Sequence, residues 1–113
     1  MARPTSVTVL DYNRLYVEVN PTELPDRFLQ LGFVRSTNYE HVYWFERKNS
    51  EEIYAMCDKM RDIGVPFKTH RHGGADYALE ALRKKGHVSG KFIRINYFDN
   101  DFAEDAPYKL EEF

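Results

Sequence analysis

The chain has 113 residues, of which 42% are hydrophobic and 15% aromatic, and its formal net charge is -2. This length fits one domain with one core, and the composition excludes an intrinsically disordered chain, which combines low hydrophobicity with a large net charge. No apolar run approaches the roughly 20 residues of a membrane helix, so a membrane-spanning protein is excluded as well.

The N-terminal part of the chain is predicted to form β-structure. Apolar side chains alternate with polar ones from Leu15 to Val19, the period of a half-buried strand, which predicts a strand at 14–19. Residues 11–13 are typical of a turn. Residues 6–10 therefore either pair with that strand as a hairpin or belong to one long strand.

A helix is predicted next, beginning at 20–23 and ending near Leu31. The Asn-Pro-Thr-Glu sequence is typical of a helix start, because it offers a capping acceptor, a proline suited to the first turn and an early carboxylate. Such a helix would bury Leu24, Phe28 and Leu31, and Gly32 would end it in the left-handed conformation.

Residues 33–37 and 41–47 are rich in aromatic and β-branched types, which predicts an antiparallel hairpin whose second strand is central. Asn49 or Ser50 then caps a second helix that ends at Gly64. The apolar positions at helical spacing in that helix are Ile53, Met56, Cys57, Met60 and Ile63.

The last predicted elements are a strand at 66–69, a loop at 70–74, a third helix and a strand at 91–98. The third helix has acidic residues near its start and basic residues at 83–85, which suits the helix dipole. From residue 99 onward the chain is acidic and is expected to be irregular.

This element order is that of a ferredoxin-like fold. Two split βαβ halves form a βαββαβ plait, a mostly antiparallel sheet with helices on one face. The sequence therefore predicts a single α+β domain at 1–98, with an additional C-terminal helix and strand, followed by an acidic C-terminal tail at 99–113. Because this fold supports unrelated functions, it does not decide between them.

Charge is divided between two blocks of the sequence. Residues 68–94 hold seven Lys or Arg against two Asp or Glu, whereas 99–113 hold six acidic residues and one Lys. A basic block near a glycine-containing helix start is suited to phosphate, because free amides and cations both favour an anion. The interpretation that we favour is that 83–85 complements a helix C-terminus and that Lys91 and Arg94 are solvated strand positions.

His70, Arg71 and His72 place two imidazoles on one face of an extended backbone. That arrangement suits a metal with a third ligand, or acid-base chemistry on a phosphate. No second cluster of ligands accompanies them, and the sequence has no phosphate loop, nucleophile elbow or dinucleotide fingerprint. We therefore predict no metal, no cofactor and no catalytic constellation, which favours a protein that is not an enzyme.

Aromatic residues are the other candidate binding groups. Tyr16, Tyr43 and Phe45 would lie on adjacent central strands of a plait, where exposed rings stack on bases or contact a protein. The string from Leu15 to Asn20 resembles the first-strand motif of RNA-recognition motifs, although the companion motif is absent.

A second short stretch is similar to nucleases. Gly32-Phe33-Val34-Arg35 followed by Val42-Tyr43 resembles a stretch of the ferredoxin-like Cas2 and VapD nucleases. Each of the two similarities covers less than about a fifth of the chain, so they identify no family.

The sequence favours a small non-enzymatic binding or regulatory protein of the adaptor or inhibitor type, which docks onto another protein. The alternative is a nucleic-acid-binding domain or small nuclease that uses 68–94, and a homodimer formed through the sheet is a third hypothesis. A single cysteine and an N-terminus without the apolar stretch of a signal peptide favour a cytoplasmic protein. The predicted binding residues are Tyr16, Tyr43, Phe45, Lys68, His70, Arg71, His72, Arg83, Lys84 and Lys85.

Overall fold

The computed structural model describes residues 4–10, 13–68, 75–97 and 108–112. Within these residues one seven-stranded sheet packs against three helices. The elements are β1 (Ser6–Val9), β2 (Arg14–Glu18), α1 (Asp26–Gln30), β3 (Val34–Arg35), β4 (Val42–Glu46), α2 (Ser50–Asp62), β5 (Phe67–Lys68), α3 (Ala75–Lys84), β6 (Ile93–Tyr97) and β7 (Tyr108–Glu112). None of the helices in these ranges has the length and apolar character needed to cross a membrane.

The sheet is mixed, and its strand order is β3-β4-β2-β1-β5-β6-β7. β5 pairs in parallel with β1 on one side and with β6 on the other, and all other pairs are antiparallel. The prediction of a ferredoxin-like plait is therefore wrong, since a plait is a four-stranded antiparallel sheet.

The cause of the difference is β1. It forms a hairpin with β2 in which Val7 lies opposite Val17, so the hairpin alternative for the N-terminal residues is confirmed. β1 thereby occupies the edge of β2 on which the last strand of a plait would pair. β5 adds to β1 instead, with Val7 beside Phe67, and α3 then connects β5 to the parallel strand β6. The expectation of an irregular tail is wrong for Tyr108–Glu112, which forms β7 beside β6.

One hydrophobic core lies between the sheet and the helices. Alternate residues of the central strands point into it, and they pack there against the buried side chains of all three helices. The helices therefore cover one face of the sheet. The core cluster comprises Val7, Val9, Leu15, Val17, Val19, Phe28, Phe33, Tyr43, Phe45, Ile53, Met56, Cys57, Met60, Val65, Phe67, Leu82, Val88 and Phe92.

The first helix is shorter than predicted and begins at Asp26. Pro25 has no amide hydrogen to donate and disfavours the helical conformation in the residue before it, so a helix cannot run through this position from residue 20. Asn20 instead forms a turn in which its Oδ1 accepts the Thr22 amide hydrogen at 2.8 Å. Leu24 lies in the connection and is 76% exposed, whereas Phe28 is buried as predicted.

The second helix matches its prediction closely. The side chain of Asn49 accepts a hydrogen bond from the Glu51 amide at 2.9 Å, which identifies Asn49 as the N-cap. Gly64 follows the helix with a φ of 80°, in the left-handed region that glycine adopts at low cost. The apolar face of the helix packs in the core as its spacing predicts.

The thiol of Cys57 gives a test of this core. Burial, with a smaller contribution from the Asp58 carboxylate, raises the pKa of Cys57 from its usual 9.0 to about 12. A raised pKa means that the neutral thiol stabilises the fold fully below about pH 9, and that this stabilisation is lost as the pH rises towards 12. We expect the free energy of unfolding of the wild type to fall more steeply above pH 9 than that of Cys57→Ala, by about 1.4 kcal/mol per pH unit. Urea denaturation at a series of pH values measures both slopes, and equal slopes would contradict the burial of a neutral thiol.

Candidate binding site

The second face of the sheet carries a pair of aromatic rings. Tyr16 of β2 lies opposite Trp44 of β4 in the antiparallel register, and both are half-buried. Their ring centroids are 5.0 Å apart and the planes are inclined by 49°, a favourable geometry for aromatic rings. We call this side of the sheet the helix-free face, because no helix among the described residues packs on it.

An apolar strip runs from this pair to the edge of the sheet. Val34 of β3 lies opposite Trp44 in the register and is 66% exposed. On the other side of Tyr16 lies Thr8 of β1, which is buried. The strip therefore begins at an exposed edge and ends at a covered strand near the middle of the sheet.

A cleft lies beside β3 at the edge end of this strip. Its volume is about 370 Å³, near the small end of the range for ligand pockets. The loop after β3 forms one wall, and in it the Ser36 hydroxyl accepts hydrogen bonds from the amides of Asn38 and Tyr39 at 3.2 Å each. The residues that line the cleft are Val34, Arg35, Ser36, Thr37, Asn38, Trp44 and Glu46.

β3 is also the last strand on its side of the sheet. The Ser36 amide donates to the Val42 carbonyl at 2.8 Å, so residues 34 and 36 direct their peptide groups towards β4. Peptide groups alternate in direction along a strand, and the N–H and C=O of Arg35 therefore point away from the sheet. Among the described residues no strand lies beyond β3, so these groups are accessible for pairing.

Charges of both signs surround the aromatic pair. Arg14 lies opposite Glu46 at one end of the β2–β4 register, and Glu18 lies opposite Val42 at the other. The three charged residues share the helix-free face with Tyr16 and Trp44 because they alternate with the core positions. Two carboxylates and one guanidinium therefore border the rings.

The structure separates the three aromatic residues predicted to bind. Tyr16 lies on the helix-free face, but Tyr43 and Phe45 are only 8% and 5% exposed and belong to the core on the other face. Trp44, which lies between them in sequence, is the residue beside Tyr16, and sequence reasoning missed it. The bulky residues on both faces of β4 give no signal for it, and only the register of β4 with β2 places Trp44 opposite Tyr16.

Among the predicted basic residues that the structure describes, Lys68 lies in β5, apart from the three consecutive residues Arg83, Lys84 and Lys85 at the end of α3. Lys68 belongs to the helix-free face, since it follows the core residue Phe67 in β5, whereas α3 packs on the other face. Arg83 donates to the Glu80 carboxylate and to the Gly90 carbonyl, so it holds the loop that follows α3. Lys84 and Lys85 are exposed at the end of α3. His70, Arg71 and His72 lie outside the described residues.

Within the described ranges, no group of three His, Cys, Asp or Glu side chains is placed to hold a metal ion. The described residues form a small α+β protein. Its mixed sheet presents the apolar strip, and the cleft lies at the edge end of that strip. Comparison with protein families, with curated proteins and with solved structures finds no match.

Proposed function

We propose that this protein is a small non-enzymatic binding protein of the adaptor or inhibitor type, which takes up an extended segment of a partner protein along β3. The observation that carries the proposal is the accessible peptide group of Arg35 beside the cleft at Val34 and Trp44. An extended segment pairs its backbone with such an edge and places alternate side chains on one face of the sheet. One of these side chains would then enter the cleft.

The charges beside Tyr16 and Trp44 favour a protein segment over a nucleic acid. Nucleic-acid binding depends mainly on cations that contact phosphates, with aromatic rings stacked on the bases. Beside Tyr16 and Trp44 a phosphate backbone would meet Glu18 and Glu46 as well as Arg14. A segment with an apolar side chain for the cleft and a basic side chain near Glu46 is complementary to the same surface.

A selection from a displayed library of random peptides tests the proposal, because the library covers partner segments of any sequence. We expect the enriched peptides to share an apolar or aromatic anchor in an extended stretch. Trp44 is the single tryptophan of the chain, so binding should change its fluorescence emission. Binding should also shift the backbone amide NMR signals of Arg35 and Thr37. Failure to enrich any peptide, or binding that leaves both probes unchanged, would refute the proposal.

A pair of substitutions at Arg35 separates backbone pairing from side-chain contact. Arg35→Pro removes the outward amide hydrogen, and an edge strand tolerates proline where the amide faces solvent. We expect Arg35→Pro to weaken binding of a selected peptide about twofold to tenfold, since one hydrogen bond contributes about 0.5–1.5 kcal/mol.

Arg35→Ala is the matched control, because it keeps the amide hydrogen and removes the charged side chain. Peptide titrations followed by Trp44 fluorescence measure the dissociation constants of both variants, and circular dichroism checks that both remain folded. If the alanine variant loses as much affinity as the proline variant, pairing along the β3 backbone is ruled out.

A further inference from the structure

The opposite edge of the sheet is formed by β7, which pairs with β6 through five residues. Leu110 lies at the centre of this strand and is 55% exposed. Lys109 and Glu111 flank it and point to the other face of the sheet, where their Nζ and Oε1 atoms are 3.6 Å apart. No strand among the described residues lies beyond β7, so its outer side presents peptide groups together with an ordered pattern of apolar and charged side chains.

We infer that β7 pairs with β7 of a second copy of this chain, in antiparallel orientation about a two-fold axis at Leu110. An interface between identical surfaces must be self-complementary. With the axis at Leu110, Lys109 lies opposite Glu111 of the second copy, and Glu111 lies opposite Lys109. Leu110 meets its own equivalent on the helix-free face.

The alternative registers lack this complementarity. An axis at residue 109 places Lys109 opposite Lys109 of the second copy, and an axis at residue 111 places Glu111 opposite Glu111 of the second copy. Like charges directly opposite each other destabilise a strand pair. Registers that pair adjacent positions would oppose side chains from different faces of the sheet. The charge pattern of β7 therefore selects the register centred on Leu110.

The resulting assembly joins the two sheets into one continuous sheet. In it the two lysines and two glutamates alternate in sign as a group of four charges. An edge of five residues is small beside a stable protein interface, so the dimer should form and dissociate with concentration. The dimer leaves β3 accessible at the far edge of each copy. Self-association through β7 can therefore be tested independently of peptide binding at β3.

Charge-reversal variants and their mixture test the inference. Sedimentation equilibrium from micromolar to millimolar concentration should show a reversible dimer for the wild type. K109E and E111K should each weaken self-association about tenfold or more, because each creates two like-charge contacts across the axis. An equimolar mixture of the two variants should associate again, since every contact across the axis then joins unlike charges. The double variant K109E/E111K should dimerise like the wild type.

Lys84→Glu is the matched control for K109E, because it makes the same change of charge at an exposed position on α3. It should leave the dimer intact. The rival interpretation is that charges on an edge strand prevent pairing. Any one of three results would overturn the inference. The wild type is monomeric at every concentration, the single variants associate as well as or better than the wild type, or the mixture of variants fails to associate.

Discussion

Replacement of Phe92 by alanine is expected to lower the free energy of unfolding by about 3–5 kcal/mol, the range for deletion of a buried aromatic ring. Phe92 is fully buried and packs edge-on against Phe67, with 5.2 Å between the ring centroids. The guanidinium groups of Arg61 and Arg83 lie 5.0 and 5.5 Å from the same ring. Its removal leaves a cavity and ends both cation–π contacts.

Since domains of this size have a total stability of about 5–15 kcal/mol, the Phe92→Ala variant should lose between about a fifth and the whole of its stability. Urea denaturation followed by circular dichroism measures the loss. Tyr39→Ala is the matched control, because Tyr39 is an exposed aromatic residue in the β3–β4 loop, and its loss should change stability by less than about 0.5 kcal/mol. Similar losses for the two variants would contradict the placement of Phe92 in the core.

Trp44→Ala is expected to reduce the affinity for a selected peptide about thirtyfold or more, which corresponds to a loss of about 2 kcal/mol. Trp44 contacts Tyr16, lies beside Val34 and lines the cleft, so it occupies the central position of the proposed contact. A tryptophan at the centre of an interface usually contributes more to binding than the residues at the rim. Because its ring is only half-buried in the free protein, the fold should tolerate the change.

Isothermal titration calorimetry is the suitable measurement, since the substitution removes the only tryptophan. Trp44→Phe should retain part of the affinity, and Tyr39→Ala and Lys84→Glu should retain all of it. A short single-stranded RNA serves as the second probe in the same experiment. The proposal of a protein segment is wrong if three results are found together. The protein binds that RNA, its affinity for the RNA falls with rising salt, and Lys84→Glu lowers this affinity more than Trp44→Ala does.

Local pattern predicted several elements of this fold. Alternation located β2, aromatic and β-branched residues located the β3–β4 hairpin, and the helical spacing from Ile53 to Met60 located α2. The order of the strands was not predictable in the same way. All four residues of β1 are buried, so no alternation shows which face it presents, and its parallel neighbour β5 is more than half the chain away.

The candidate site was predictable only in part, for a related reason. Tyr16 stands out because its apolar neighbours define the opposite face of β2. In β4 the residues from Val42 to Phe45 are bulky on both faces, so their sequence does not show which of them point into the core. The register with β2 decides this, and it places Trp44 rather than Tyr43 beside Tyr16.

The parallel pairing of β1 with β5 has a consequence for how the chain folds. The β1–β2 hairpin and the β3–β4 hairpin close short loops, and loops of this kind close quickly. The contact between Val7 and Phe67 instead closes a loop that contains most of the first half of the chain, at a larger cost in conformational entropy. β6 joins the sheet only through β5, and β7 only through β6. The sheet thus combines one half with local connections and a second half that joins it through the long-range pairing of β1 with β5.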